Sequence, residues 1–234
     1  MSKPDLVVIV EGQTESAALQ DLLTAHLQAR GLSAIFSLIG KRGGQGGGHR
    51  PFDTLVSDVS YFAKTFPGVH ISTCFDYYGL NPKWPDVTAI KAEQIASSLK
   101  AAKIEATILE AVSVRIDSNV LWDGHFHPHI QLYEFETLLF AAPEILGREL
   151  RPLSAGDDLK AHFQEIVDQH QNECENINDN VATAPAKRIE AVAQYKKGKT
   201  GQARTILPAI GLDRIRQRCP HFNEWISKLE SLKP

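Results

Sequence analysis

The stretch that most constrains this chain is residues 6–15, Leu-Val-Val-Ile-Val-Glu-Gly-Gln-Thr-Glu: an unbroken apolar run that ends in a glycine turn flanked by two carboxylates. Short β-branched runs bounded by turn signals mark buried strands. Behind it, Ser16 to Arg30 places Leu19, Leu22, Leu23 and Leu27 near helical spacing, with Gly31 as a stop signal. The expectation is a strand, a carboxylate turn and a helix. Glu11 then stands at the mouth of a buried strand, where an acid can do chemistry. An ordinary strand end accounts for the same residues, with Thr14 capping the helix and Glu15 favoured by its dipole.

A second strand is expected at Ser33 to Ile39, running into the glycine-rich segment 40–50, GKRGGQGGGHR. The spacing is not that of a P-loop, because Lys41 and Arg42 precede the glycines, and His49 and Arg50 follow them. Either a surface loop or a phosphate-contacting loop fits, the latter using Lys41, Arg42 and Arg50. After a helix over Pro51 to Phe66, Val69 to Phe75 reads as another strand, ending in Asp76-Tyr77-Tyr78-Gly79. The first pattern thus recurs, with an acid at a strand end beside a glycine turn. Ligands of open α/β sheets sit at the carboxyl ends of the strands, where Glu11 and Asp76 would both lie if these strands are parallel. Asp76 also suits a plain turn.

A proline-bearing loop over Asn81 to Asp86 precedes a helix over Val87 to Ala102, and Glu105 to Val112 reads as a strand or a helix extension. A loop from Arg115 to His127 leads into the segment His127 to Phe140. His125, His127 and His129 alternate and would share one face of an extended strand, a conceivable transition-metal grouping or a simple exposed strand. Glu134 and Glu136 follow, at a strand end or in the first turn of a helix, where the dipole suits them. Beyond Phe140 the composition shifts: Pro143 to Ser154 reads as a linker-like turn region, and Asp157 to Asn172 as a polar helix. Further helices are expected from residue 184, over Thr205 to Arg218 and over His221 to Leu232. Lys187, Arg188, Lys196, Lys197, Lys199 and Arg204 make this third locally basic, either as phosphate contacts or as a solvated surface. Phe222, Trp225 and Ile226 are expected to pack onto the sheet domain.

Composition narrows the function classes. A chain of 234 residues with 43% hydrophobic and 23% charged residues suits a globular domain with a smaller appendage. Its formal net charge of -3 argues against a generic, charge-driven nucleic-acid binder, though not against a local basic groove. Cys74, Cys174 and Cys219 are too dispersed for a zinc ribbon or a disulfide framework, and point to reducing cytoplasm. No signal peptide or membrane span is expected.

VEGQTE, FDYYG, QLYEFETLLF and IGLDRIRQRCPHFNEWISKLE, taken in this order, resemble a widespread prokaryotic family catalogued as a domain of unknown function (number 4276) and related to the Toprim nucleases. The resemblance covers nearly the whole chain. It implies an α/β, Toprim-like domain over residues 1–142, with a mostly parallel central sheet flanked by helices, and a helical C-terminal region over 143–234 packed on it. Toprim domains carry a glutamate after the first strand and a DxD motif after a later one. Glu11 matches the former and Asp76 the first acid of the latter, but Tyr78 stands where the second acid would be. Glu134 or Glu136 would have to compensate.

What the resemblance implies for function is a Mg²⁺- or Mn²⁺-dependent nuclease or related phosphotransfer enzyme. Glu11, Asp76 and Glu136 would be catalytic, Glu11, Glu15, Asp76, Glu134 and Glu136 would hold metal, and Lys41, Arg42, Arg50, Lys187 and Lys199 would contact nucleic-acid phosphate. DNA is expected ahead of RNA as the target, with a role in phage defence or DNA metabolism beside an ATPase partner. Two other readings stand: a noncatalytic Toprim-like binding subunit of such an ATPase complex, and a metal-dependent hydrolase of a small phosphate compound.

Overall fold

The computed structural model describes residues 3–41, 46–171, 173–177 and 181–232; Arg42, named above as a phosphate contact, lies outside them. Strand β1 (Leu6–Val10), helix α1 (Gln13–Gln28), strand β2 (Ala34–Leu38), helix α2 (Phe52–Thr65) and strand β3 (His70–Asp76) open the fold. Helices α3 (Val87–Ala92) and α4 (Ser97–Ser113) follow, and then two short strands, β4 (Phe126–His127) and β5 (Ile130–Gln131). The strand order is β2-β1-β3-β4, with β5 also on β3, and every pairing is parallel.

All five β1 side chains are fully buried, and they alternate between two cores. Leu6, Val8 and Val10 face the core that holds α1, while Val7 and Ile9 face the one that holds α2. Each such burial contributes about 1.5–3 kcal/mol, so the strand as a whole is worth about as much as a typical domain's net stability. That is why its sequence admits no polar residue. From β1 the chain runs through α1 on one face to β2 on one side, and from β2 through α2 on the other face to β3 on the opposite side, so the connections diverge at the carboxyl end of β1, between β1 and β3. Open α/β sheets bind their ligands in this crevice.

Strands β4 and β5 keep one register along β3, pairing Ile71 with Phe126 and Phe75 with Ile130. The gap between them falls at Pro128-His129, where proline supplies no N–H. Thr73 bridges it, its hydroxyl donating to the His129 carbonyl (3.0 Å) and accepting from the His129 amide (2.9 Å).

Three local expectations change and two open ones are decided. Residues 105–112 continue helix α4, the helix-extension reading. The expected helix over 87–102 is two helices, broken where Glu93 turns extended. For the Glu134–Glu136 segment the helical alternative holds, as a 3-10 helix over Phe135–Ala141. The turn region expected at 143–154 contains helix α5 (Pro143–Glu149), because its proline sits at the first helical position, where a missing N–H is harmless. Helix α6 (Leu159–Gln169) and helix α7 (Pro185–Val192) follow. The helix expected over 205–218 is divided into α8 (Lys199–Ile210) and α9 (Leu212–Arg218) by Gly211, whose φ of 84° favours a residue without Cβ. Helix α10 (Pro220–Glu230) is the last element among the described residues, with Phe222, Trp225 and Ile226 buried. The C-terminal helices share the α1-side core with Leu6, Val8 and Val10. No helix among the described residues is long and apolar enough to cross a membrane.

Candidate metal centre at the strand ends

Glu11 follows β1 and Asp76 ends β3, so the parallel pairing of the two strands sets both acids at the crevice. Three further acids join them. Glu15 lies in the first turn of α1, which begins at Gln13 with Gly12 as its N-cap. The expected Thr14 cap is absent, since Thr14 lies inside the helix and its hydroxyl instead shares a hydrogen bond with that of Thr200 (2.8 Å). A Cβ at Gly12 would displace the Glu15 carboxylate from where it stands. Glu134 and Glu136 arrive through a sharp turn at Tyr133, whose φ of 60° is unusual for a bulky residue and marks a constrained site. The turn carries the chain back over β3, where the Phe135 amide donates to Asp76 Oδ1 (2.8 Å).

The electrostatics follow from crowding. Burial, then the charges of Glu15, Glu136, Glu11 and Glu134, hold the Asp76 carboxyl well above the ordinary range. Glu11, Glu15 and Glu134 are raised as well, each chiefly by burial. The main counter-charge is Lys199 at the start of α8, whose ammonium lies 2.7 Å from Glu136 Oε1. Tyr195 donates its hydroxyl to the same oxygen (3.2 Å), and burial followed by Glu136 keeps that phenol protonated. Glu134 has a structural partner too, accepting the Ala186 amide (2.9 Å) at the start of α7. Glu15 Oε2 and Glu136 Oε2 are buried and make no hydrogen bond among the described residues. Orphaned carboxylate oxygens beside raised acids are what a divalent cation would satisfy.

The glycine-rich loop closes one side of the crevice. The Gly48 amide donates to the Glu11 carbonyl (3.0 Å), and Gly47 presses so close to that carbonyl that a Cβ would lie 2.8 Å away. Trp84 Nε1 fixes the loop's end by donating to the Arg50 carbonyl (2.8 Å). Arg50 and His49 therefore line the same cleft as Glu11, while Lys41 is exposed where the described part of the loop begins. Lys187 is exposed and paired with Glu190 (3.2 Å), near enough to Glu134 to favour its ionised form. Lys196 and Lys197 line a neighbouring surface cleft with Tyr195 and Gln202.

Sequence reasoning missed Lys91. Its ammonium donates to the Tyr77 carbonyl (2.5 Å) and sits 4.6 Å from the Tyr77 ring centre. Burial lowers it to about 8, with Glu11 acting in the opposite direction. No motif surrounds Lys91; only the fold of α3 against the FDYYG turn reveals it. Tyr195 was equally silent in sequence.

The alternating histidines do not converge. His125 stacks on His70 (4.1 Å between centres), and His127 Nε2 lies 3.2 Å from His70 Nδ1. His129, beyond the Pro128 break, instead joins Glu105 and His221. One strand face was expected to carry all three, but the ladder is interrupted between the second and third.

The C-terminal region of the Burkholderia pseudomallei OLD protein is similar to this chain at a TM-score of 0.48 and 15% identity, covering 97% of this chain and 99% of that one. The corresponding region of the Xanthomonas campestris pv. campestris OLD protein gives 0.43 and 16%, over 96% and 94%. No curated protein matches the sequence. The family model described as "Domain of unknown function (DUF4276)" matches residues 10–230, most of the length, and the chain belongs to that family.

Proposed function

We propose that the chain is a Toprim-like, divalent-metal-dependent nuclease, with DNA as its first target and Mg²⁺ or Mn²⁺ as its cation. One observation carries this reading: five acids from three separate stretches meet at the crevice between β1 and β3, two of them with orphaned buried oxygens. Glu11, Glu15, Asp76 and Glu136 are the groups that would hold the cation. When bound, such a cation stabilises the charge that develops on phosphodiester oxygens and helps generate a nucleophile. Glu134, tethered to the start of α7, orients the segment that carries Glu136. Glu136 supplies the second acid that Tyr78 does not. Lys199 and Lys91 offer positive charge to a phosphate at the edge of the cluster, and the Lys196–Lys197 cleft continues it outward.

A second reading is a binding subunit, acting beside an ATPase partner without cleaving. It is favoured by Tyr78 in the second-acid position and by the pairing of Lys199 with Glu136, which already neutralises one ligand. Purified protein incubated with labelled DNA and RNA, with chelator, Mg²⁺ or Mn²⁺, separates the two. The nuclease reading expects metal-dependent cutting that Glu11→Gln and Asp76→Asn each reduce by about a hundredfold or more. Binding without cutting supports the second reading. Variants that cut like the parent overturn the site assignment.

A further inference from the structure

A second cluster of ligand-type side chains lies outside the strand-end acids. Helix α4 supplies Glu105, the β4–β5 junction His129, and the first turn of α10 His221. Glu105 Oε1 lies 2.9 Å from His221 Nε2 and 3.4 Å from His129 Nδ1, and one donor atom from each residue lies within 4.8 Å of the others. The two imidazoles are nearly enclosed, whereas the Glu105 side chain is 19% exposed, so the cluster opens to solvent on its carboxylate side. We propose that Glu105, His129 and His221 form a binding site for a divalent transition-metal ion, zinc in the first place, with water completing the coordination.

Two imidazoles and one carboxylate, with a fourth position open, form a donor set that zinc takes readily. Metal–ligand distances of about 2.0–2.2 Å in a tetrahedron put neighbouring donors roughly 3.3–3.5 Å apart. The separations of 2.9 and 3.4 Å lie close to that spacing. Hard cations prefer oxygen donors, so the same set discriminates against Mg²⁺.

The hydrogen bonding points the same way. Glu105 Oε1 also accepts the Ile130 amide (2.8 Å), so three nitrogens converge on one oxygen that has two lone pairs. A cation shared by the carboxylate and the imidazoles relieves that crowding. Burial would raise the Glu105 carboxyl, but hydrogen bonds from His129 and His221 outweigh it and bring it to about 2. Burial keeps His129 on the neutral side, the form that binds metal. At His221 burial is outweighed by the hydrogen bond and charge of Glu105, which raise the imidazole, so a bound ion would displace a proton there.

The rings are held in place in advance. His129 stacks with His221 (5.0 Å between centres) and with Trp225 (4.6 Å, 5° between planes), and Trp225 donates to the Ser72 hydroxyl (2.9 Å). Glu175 accepts the His221 and Phe222 amides (2.7 and 3.0 Å), which fixes the start of α10. Beyond the donor atoms, His221 Nδ1 faces Glu224 at 4.0 Å, and His129 Nε2 lies near the Gln131 amide, with no hydrogen bond of its own among the described residues. Partners of this kind orient metal-bound imidazoles. An ion here would clasp α10 and α4 to the segment that leads into Glu134 and Glu136. The site stands independently of the nuclease reading.

The test uses the full chain stripped of metal and titrated with Zn²⁺ in excess Mg²⁺, which occupies hard carboxylate sites. The expected result is one Zn²⁺ per chain retained through dialysis, with two imidazoles in its X-ray absorption spectrum. Co²⁺ in its place should give the intense visible bands of a four-coordinate site. Glu105→Gln and His221→Ala should weaken Zn²⁺ binding by about tenfold or more, while Glu11→Gln and Asp76→Asn retain it. Far-UV circular dichroism reports whether each variant folds, and the parent's absorption spectrum decides the matter if His221→Ala does not. No Zn²⁺ retained by the parent, a spectrum without imidazole, or full affinity in folded Glu105→Gln and His221→Ala would overturn the proposal.

Discussion

Replacing Asp76 by asparagine tests the charge balance of the strand-end site. The change preserves side-chain shape and an acceptor oxygen, so the hydrogen bond from the Phe135 amide (2.8 Å) survives. It removes one negative charge from a group whose main counter-ion is Lys199. Two like charges ~4–8 Å apart repel by about 2–4 kcal/mol at an effective dielectric constant near 20. Asp76 has several such neighbours, but the native protein can take up a proton instead. At pH 7 that uptake costs about 4 kcal/mol for a carboxyl whose unfolded value is ~3.9, and this caps the strain. Metal-free Asp76→Asn should therefore be more stable than the parent at pH 7 by about 1–4 kcal/mol. For a domain of this length each kcal/mol raises Tm by roughly 2–4 °C.

The pH dependence has a definite sign. Asp76, Glu11, Glu15 and Glu134 are all raised in the folded state, so the native protein binds more protons than the unfolded chain. Stability is fully present below the ordinary carboxylate range, ~4, and is lost as pH rises through the raised folded values. Asp76→Asn lacks one of these groups and should lose less as pH rises from the ordinary carboxylate range through the raised folded values. Mn²⁺ should narrow the gap by about 1.3 kcal/mol. A cation at a hundred times its Kd adds about 2.7 kcal/mol, and one bound tenfold more weakly adds only about 1.4. Thermal unfolding by circular dichroism, in chelator and in Mn²⁺, measures both effects. A variant less stable than the parent in chelator at neutral pH, or one that gains as much from Mn²⁺, would refute the reasoning.

Gly79→Ala should weaken Mn²⁺ binding without replacing a ligand, because the new Cβ would collide with the Glu11 carboxylate and displace it. About half of the Mn²⁺-induced stabilisation should disappear, as a tenfold loss of affinity requires, and an unchanged thermal shift would count against Glu11 as a ligand. Glu175→Ala strips the acceptor from two amides at the start of α10 and should destabilise the fold by about 1–3 kcal/mol in urea titrations; a change below about 0.5 kcal/mol would mean water replaces it freely.

What could be read from the sequence was local. The apolar run of β1 and the leucine spacing of α1 mark a strand and a helix because side-chain period is a property of consecutive residues. Glu11 and Asp76 were visible because both interrupt the same pattern, an apolar run ending beside glycine. The EFE segment was visible as acidic, but its position was not. Tyr133 in a left-handed conformation and the 3-10 helix after it decide that Glu136 returns over β3, and neither has a periodic signature. Pro128 also broke the rule that alternating residues share a face, because a residue without N–H cannot continue the ladder, and His129 was released to another partner.

The sequence by itself determined buried strands ending in Glu11 and Asp76, since five consecutive apolar residues bounded by a glycine turn suit a strand buried on both faces; that these strands pair in parallel was decided by the structure. Only the tertiary structure decided what stands around those acids. Lys199 is brought to Glu136, Lys91 to the edge of the crevice, and His221 to a glutamate 116 residues earlier. Those meetings are made by helices packing on opposite faces of the sheet, and packing depends on residues far apart in the chain, which no local pattern records.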